Sequence, residues 1–352
     1  NYIINREYMT KEEEYCTPQV FALAEQFLSK NKDIDNWFLQ IECFDPHEPF
    51  HAPKRFKELF PTNYDGPILD WPIYDRVKET REEISELKAN YAALVTMVDE
   101  YFGKLLDYFD RYDLWKDTAL ILTTDHGFLL GEHDWWAKNR MPVYNEIAHI
   151  PLMIYHPDFK NKAGARINSL TQTIDIMPTF LDFFGLDIPS DVSGKSLLNV
   201  LKKDDEIRKA LIFGYFGSAC NITDGEYTYF RYPEKMSASD LYEYTLMPTR
   251  MTSRFSIKEL SEMTLSNPFK FSKGLKLLKL KPKVSDKNDP LEVQGMTFED
   301  TNSKLFNVNS DPRQELELDE PETVRQLVHE MIDLMTKADA PKEMFKRLNL
   351  NN

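Results

Sequence analysis

The sequence predicts an α/β fold, a mainly parallel sheet flanked by helices with a smaller C-terminal α+β subdomain behind it. Up to residue 210, short apolar runs alternate with helix-like segments, as in chains that wind helices onto both faces of a parallel sheet. The residues best suited to chemistry follow such runs directly, at the edge where open α/β sheets bind ligands. Near residue 211 the pattern changes to aromatic runs that read as antiparallel strands. These shifts divide the chain into 1–210, the α/β part, and 211–352, a subdomain with a small antiparallel sheet, an insert at 234–298 and a terminal helix.

The elements follow in order. Residues 17 to 31 place Val20, Phe21, Ala24, Phe27 and Leu28 at helical spacing. WFLQIECF, 37 to 44, reads as a buried strand, and the prolines of DPHEPFHAP force an extended loop after it. A long helix then carries Leu87, Tyr91, Leu94, Val98, Phe102, Leu105 and Phe109 on one face. ALILTT and HIPLMIYHP read as strands, and 173 to 189 as a helix stopped by Gly185. ALIFGYF, EYTYFRYP and KLFNV complete the strands, and 321 to 338 the last amphipathic helix.

Composition narrows the function classes. A net charge of −15 argues against a general nucleic-acid binder, because phosphates reward basic surfaces. It leaves room for an anionic substrate held by a local cluster of cations. No apolar run reaches the roughly 18–20 residues of a membrane span. Cys16, Cys43 and Cys220 show neither metal-ligand spacing nor a disulfide framework, which is compatible with a reducing compartment. Residues 250 to 283 carry nine basic residues (Arg250, Arg254, Lys258, Lys270, Lys273, Lys276, Lys279, Lys281 and Lys283) against Glu259 and Glu262. They read as a solvated surface, with attraction of a polyanionic substrate as the alternative.

Several residues are suited to chemistry. Asp125 and His126 follow an apolar strand and precede a glycine, a geometry suited to a cation. A carboxylate offers oxygen ligands to Ca²⁺ or Mg²⁺, and imidazole widens the choice toward Mn²⁺ or Zn²⁺. The same aspartate could simply cap a helix. Lys138, flanked by Trp135, Trp136 and Ala137, is placed where an ammonium in a desolvated pocket would bind an oxyanion as a point charge. His47, in DPHEP, could donate to an ester oxygen or protonate a leaving group. His51 could be a rim residue, and His133 taken alone reads as structural.

Together these segments resemble the sulfatase family of the alkaline phosphatase superfamily. DPHEPF after an apolar run resembles the family's substrate-histidine loop, and TTDHGFLLGEHDWWAKN its second metal-binding motif. HIPLMIYHP, TQTIDIMPTFLDFFGLDIPSDVSGKSLLNVL and LFNVNSDPRQELEL resemble the segments that follow, in the same order, with a poorly matched stretch near 234 to 298. WAK after LGEH is similar to iduronate-2-sulfatase-like and phosphonate monoester hydrolase-like members.

The resemblance implies an alkaline phosphatase-like fold and hydrolysis of a sulfate ester, of a sulfated sugar or an aryl alcohol. It implies Asp125 and His126 as metal ligands, with contact to the nucleophile as the other role for His126, and Ca²⁺ first with Mg²⁺ or Mn²⁺ as alternatives. Lys138 and His47 would be catalytic and substrate-binding, and His133 substrate-binding. It also implies a formylglycine nucleophile, made from C/S-x-P-x-R. Cys16-Thr17-Pro18-Gln19-Val20 lacks that motif's arginine, so Cys16 is read as structural and the nucleophile is expected upstream of residue 1. The chain alone is then expected to be inactive, and to meet the upstream portion or a second copy as partner. A phosphonate or phosphate diester hydrolase and an inactive anion-binding homologue remain the other readings. Neither nucleic acid nor membrane is expected as a partner.

Overall fold

The long helix Arg81–Arg111 opens on a capping box, in which the Thr80 hydroxyl accepts from the Glu83 amide and the Glu83 carboxylate returns a bond to Thr80. Its apolar stripe buries Leu87, Ala93, Leu94, Met97, Leu105 and Phe109. The structure, a computed structural model, describes residues 2–139, 142–234, 236, 241–247, 249–250, 253–282, 292–293, 296–297 and 301–350. They form two compact units: residues 1–124, 128–138 and 151–163, and residues 125–127, 139–150 and 164–352. No helix among the described residues is long and apolar enough to cross a membrane.

In the first unit, the helix Cys16–Asn31 packs Phe21 and Leu28 against Leu105, Phe109 and Leu114 of the long helix and its exit turn. The segment expected as a buried strand differs. Residues 37 to 44 pair with no strand among the described residues, and their burial alternates along the chain. Trp37, Leu39, Ile41 and Cys43 face the helical core, whereas Phe38 and Phe44 are 53% and 60% exposed. Period-two alternation gives an extended segment two faces, and only one of them is covered here. Strands Leu120–Thr123 and Leu152–Tyr155 pair antiparallel with each other. Every strand pairing among the described residues is antiparallel, so the parallel pairing expected of the sheet is not formed among them. The α/β mixture of elements is as expected.

Arg55 fastens the N-terminal turns to this unit. Its guanidinium donates to both carboxylate oxygens of Glu12 (2.6 Å each) and to both of Glu100 (2.7 Å each). Those bonds lower the pKa of both carboxyls, Glu100 to about 2. Groups depressed in the folded state contribute stability that is present above their ordinary pKa of 4.5 and lost as pH falls toward 2. We therefore expect the melting-temperature gap between wild type and Arg55→Ala to shrink between about pH 5 and pH 2. The gap will be small, since these side chains are 25–47% exposed and screened by solvent. A gap that stays constant with pH would contradict the assignment.

In the second unit, strands Leu211–Gly214, Cys220–Thr223, Tyr227–Arg231 and Lys304–Asn307 form one antiparallel sheet in that spatial order. The helix Pro321–Lys337 covers it, with Leu327, Met331 and Met335 against Ile222, Tyr229 and Leu305. The helix Ile176–Phe183 ends at Gly185, whose φ of +66° supplies the expected stop. Asp175, fully buried, holds the segment before that helix: it accepts from the amides of Gln172 and Lys195 (2.8 Å each) and from both terminal nitrogens of Arg208 (2.6 Å each). Gly194 makes this closure possible, because a Cβ there would stand 1.9 Å from the carbonyl oxygen of Ile174.

Three of the nine basic residues of 250 to 283 pair with carboxylates among the described residues. Arg250 pairs with Glu259 (2.6 Å) and Glu243 (3.5 Å), Lys273 with Asp191 (2.8 Å), and Lys279 with Glu343 (2.7 Å). Lys279 and Lys281 also stand over the Tyr242 ring at 4.1 and 4.0 Å. Lys283 and most of 283 to 300 lie outside the described residues.

Candidate active site

Lys138 ends a tight hairpin. Leu129–Leu130 pair with Trp136–Ala137, and the amide of Gly131 donates to the Trp135 carbonyl (2.9 Å). The preceding loop braces it, through Trp136 N to Asp75 O (3.0 Å), Val77 N to Asp134 O (3.1 Å) and the indole of Trp136 to Glu79 (2.7 Å). Trp135, Trp136 and Ala137 are completely buried. His133, Asp134, Ala137 and Asn139 all adopt positive φ, between +54° and +80°. Such backbone is costly for residues with a Cβ and persists where surrounding contacts enforce it, which is a recurrent property of functional loops. It aims Lys138 inward.

The side chain is accordingly buried. Lys138 is 6% exposed, its Nζ lies 5.8 Å from the centre of the Phe128 ring, and no carboxylate pairs with it among the described residues. A buried lysine over a ring face, with no carboxylate partner among the described residues, is poorly compensated. An incoming anion would compensate it.

His47 lies in the loop after residues 37 to 44, and its unit brings that loop onto the same aromatic cluster. Phe50, three residues on, meets Phe128 edge to face at 5.6 Å and Tyr91 of the long helix at 5.3 Å. Tyr74 meets Phe128 at 6.5 Å, and its hydroxyl donates to Glu48. The imidazole of His47 stands 4.5 Å from the Phe44 ring, and its Nδ1 lies 2.7 Å from the Glu48 carbonyl. A carbonyl can only accept, so Nδ1 carries a proton and Nε2 is the nitrogen left for a ligand. The His47 loop and the Lys138 hairpin thus share Phe128.

The other expected residues stand as follows. His133 occupies the hairpin turn at φ +54°, with its carbonyl 3.4 Å from Arg76 Nη1. His51 accompanies Tyr15, 3.2 Å from its hydroxyl, and burial followed by the charge of Arg6 pushes its pKa down to about 4. That is a structural histidine. Cys16 opens its helix, and burial followed by the Asp45 carboxylate raises its thiol pKa, the opposite of what a thiolate nucleophile needs.

Asp125 and His126 belong to the second unit. The turn is pinned at Gly127, whose amide donates to the Ile147 carbonyl (2.9 Å) and whose Cβ, if present, would stand 1.8 Å from the Glu146 carbonyl oxygen. Only glycine fits there, which accounts for the residue after the Asp-His pair. The Nδ1–H of His126 donates to the Gly127 carbonyl (2.9 Å), so the Nε2 lone pair is available, 3.5 Å from Asp125 Oδ2. One carboxylate oxygen and one imidazole nitrogen side by side fit part of the ligand shell of a divalent cation. No group of three or more metal-ligating side chains occurs among the described residues.

Sequence reasoning missed Glu48 and Tyr74. A carboxylate beside His47, between Pro46 and Pro49, was the available signal for Glu48. Nothing in the sequence pointed to Tyr74.

Comparison with known proteins places these features in a family. The sulfatase family profile matches residues 1–186, and that of the N-sulphoglucosamine sulphohydrolase C-terminal region matches 131–270. The chain is 30% identical over 221 residues to an N-acetylglucosamine-6-O-sulfatase of Bacteroides thetaiotaomicron, a match covering 59% of the chain and 38% of that protein. It is 26% identical over 230 residues to an arylsulfatase of Clostridium perfringens, covering 61% and 47%. The chain therefore spans less than half the length of either relative. Among solved structures, a protein in complex with its substrate D-glucosamine-2-N,6-O-disulfate superposes with a TM-score of 0.60 at 17% identity, covering 96% of this chain and 71% of that one. A phosphonate monoester hydrolase from Silicibacter pomeroyi gives 0.51 at 25% identity, covering 64% and 53%. These likenesses show an alkaline phosphatase-like fold. With more than half of its residues matched by the family profile, the chain belongs to the sulfatase family.

Proposed function

We propose that this chain supplies the anion-binding and proton-donating side of a hydrolase that cleaves sulfate esters of sugars. The observation that carries the reading is Lys138, a buried lysine with no carboxylate partner among the described residues, over the Phe128 ring that Phe50 of the His47 loop also meets. Lys138 binds a non-bridging sulfate oxygen, where a fixed positive charge in a dry site stabilises negative charge far better than in water. His47, through Nε2, donates to the bridging oxygen and protonates it as it leaves. His133, in the turn of the hairpin that leads to Lys138, would contact the substrate in this reading.

Asp125 and His126 contribute two ligands to a divalent cation, Ca²⁺ before Mg²⁺ or Mn²⁺. Such a cation supplies Lewis-acid polarisation of the sulfate group. The nucleophile in this proposal is a formylglycine hydrate contributed by residues outside this sequence. The sugar is inferred from the N-acetylglucosamine-6-O-sulfatase relative and from the glucosamine disulfate held by the structural neighbour. A phosphonate or phosphate diester is the second reading, favoured by the phosphonate monoester hydrolase among the neighbours. Lysine and histidine would serve either tetrahedral anion, and the sulfatase relatives favour sulfate.

The metal assignment has its own test. In the complete protein, chelation should abolish hydrolysis of glucosamine 6-sulfate. Asp125→Asn should lower the affinity for added Ca²⁺ by an order of magnitude or more while leaving the melting temperature of the metal-free protein unchanged. Calcium titration followed by calorimetry reads the first quantity without turnover. Turnover indifferent to chelation, or unaltered Ca²⁺ affinity in the variant, would remove these two residues from the metal site.

A further inference from the structure

Glu48 is 1% exposed, and a carboxylate so placed is costly unless its charge is answered. One oxygen, Oε1, accepts the hydroxyl of Tyr74. The other, Oε2, is buried without a hydrogen-bond partner among the described residues and lies 3.5 Å from Nδ1 of His47. The same Nδ1 is 2.7 Å from the carbonyl of Glu48, so one residue presents two acceptors to one ring nitrogen. The imidazole is the part-exposed member of the pair, 34% against none for the carboxylate.

We propose that Glu48 is a positioning residue for His47: its buried carboxylate, fixed by Tyr74, orients the imidazole and stabilises the imidazolium, so that Nε2 presents a proton to the leaving oxygen. This rests on the reading of His47 as the proton donor. As the bond from sulfur to the sugar oxygen breaks, its electron pair stays on that oxygen and the Nε2 proton passes to it. The new bond to sulfur comes from the attacking oxygen of the aldehyde hydrate, whose hydroxyl proton passes to solvent water. His47 is left neutral, still held through Nδ1–H.

The surroundings leave this role to Glu48. Asp45, on the same loop, accepts the hydroxyl of Thr17 (2.6 Å), and burial raises its pKa. His51 accompanies Tyr15. Tyr91 packs on Phe50 and Phe44 on His47 itself. Tyr74 is held protonated by burial and by the bond it gives to Glu48.

Two measurements decide it. In the 352-residue chain, the titration of His47 is followed by nitrogen NMR of the imidazole ring. Glu48→Gln keeps an acceptor for Tyr74 and removes the charge, so the His47 midpoint should fall by about one pH unit or more. Tyr74→Phe keeps the charge and should leave the midpoint nearly in place. No shift in the first variant, or equal shifts in both, would overturn the proposal. In the complete protein, Glu48→Gln should reduce kcat on glucosamine 6-sulfate by ~10²-fold, with KM little changed. It should spare nitrocatechol sulfate, whose leaving group needs no proton. Equal losses on both esters would also overturn the proposal. Failure of the wild type on both esters would instead overturn the sulfatase reading, with the NMR titration still deciding whether Glu48 controls His47.

Discussion

Replacing Lys138 by methionine should make the protein more stable and, in the complete enzyme, nearly inactive. Lys138 is 6% exposed and no carboxylate pairs with it among the described residues, so the folded state carries the cost of burying its charged side chain. A methionine of similar length would fill the same space beside Trp135 and Trp136 without that cost. Exchanging a poorly compensated buried ion for an apolar residue of similar volume is commonly neutral to stabilising by about 1–4 kcal/mol. Thermal denaturation of the chain should therefore show a raised melting temperature for Lys138→Met. Turnover of a sulfate ester should fall by ~10²–10³-fold, the usual loss when one preorganised charge-stabilising group is removed. Lys138→Arg should not restore it, since a planar guanidinium cannot occupy a slot shaped for a compact ammonium. A destabilised methionine variant would mean that the ammonium has a stabilising role within the fold.

The largest loss of stability should come from Asp175. Its carboxylate is wholly buried and accepts four hydrogen bonds that tie residues 172, 195 and 208 together. Removing one partner of a buried ion pair leaves the other charge unanswered, at a cost of about 3–5 kcal/mol. Asp175→Ala and Arg208→Ala should each lower stability by that amount in urea denaturation. The double variant should cost less than the sum, because each single change already breaks the pair. Additive losses would show that the two side chains are not energetically coupled.

Much of this fold was legible because its signals are local. The helices Cys16–Asn31, Arg81–Arg111 and Pro321–Lys337 follow from apolar spacing, and Gly185 stops its helix where a left-handed residue is needed. The segment 37 to 44 was harder. Its apolar content suggested burial on both faces, yet Phe38, Gln40, Glu42 and Phe44 share the exposed one. Pairing direction depends on distant partners, so the antiparallel match of Leu120–Thr123 with Leu152–Tyr155 left no mark in either run. At the site, Lys138 stood out because two tryptophans and an alanine precede it. Glu48 acquires its meaning only from Tyr74, twenty-six residues away and joined to it by a single hydrogen bond.

The most direct test is a competition between substrates by the complete protein that contains this chain. With Ca²⁺ present, kcat/KM is measured for glucosamine 6-sulfate and for an aryl phosphonate monoester, in wild type and in Lys138→Ala. The account predicts clear preference for the sulfate ester, and a loss of that activity in the variant far larger than any change in melting behaviour. Preference for the phosphonate, or a Lys138→Ala enzyme that still hydrolyses the sulfate ester at the wild-type rate, would contradict it.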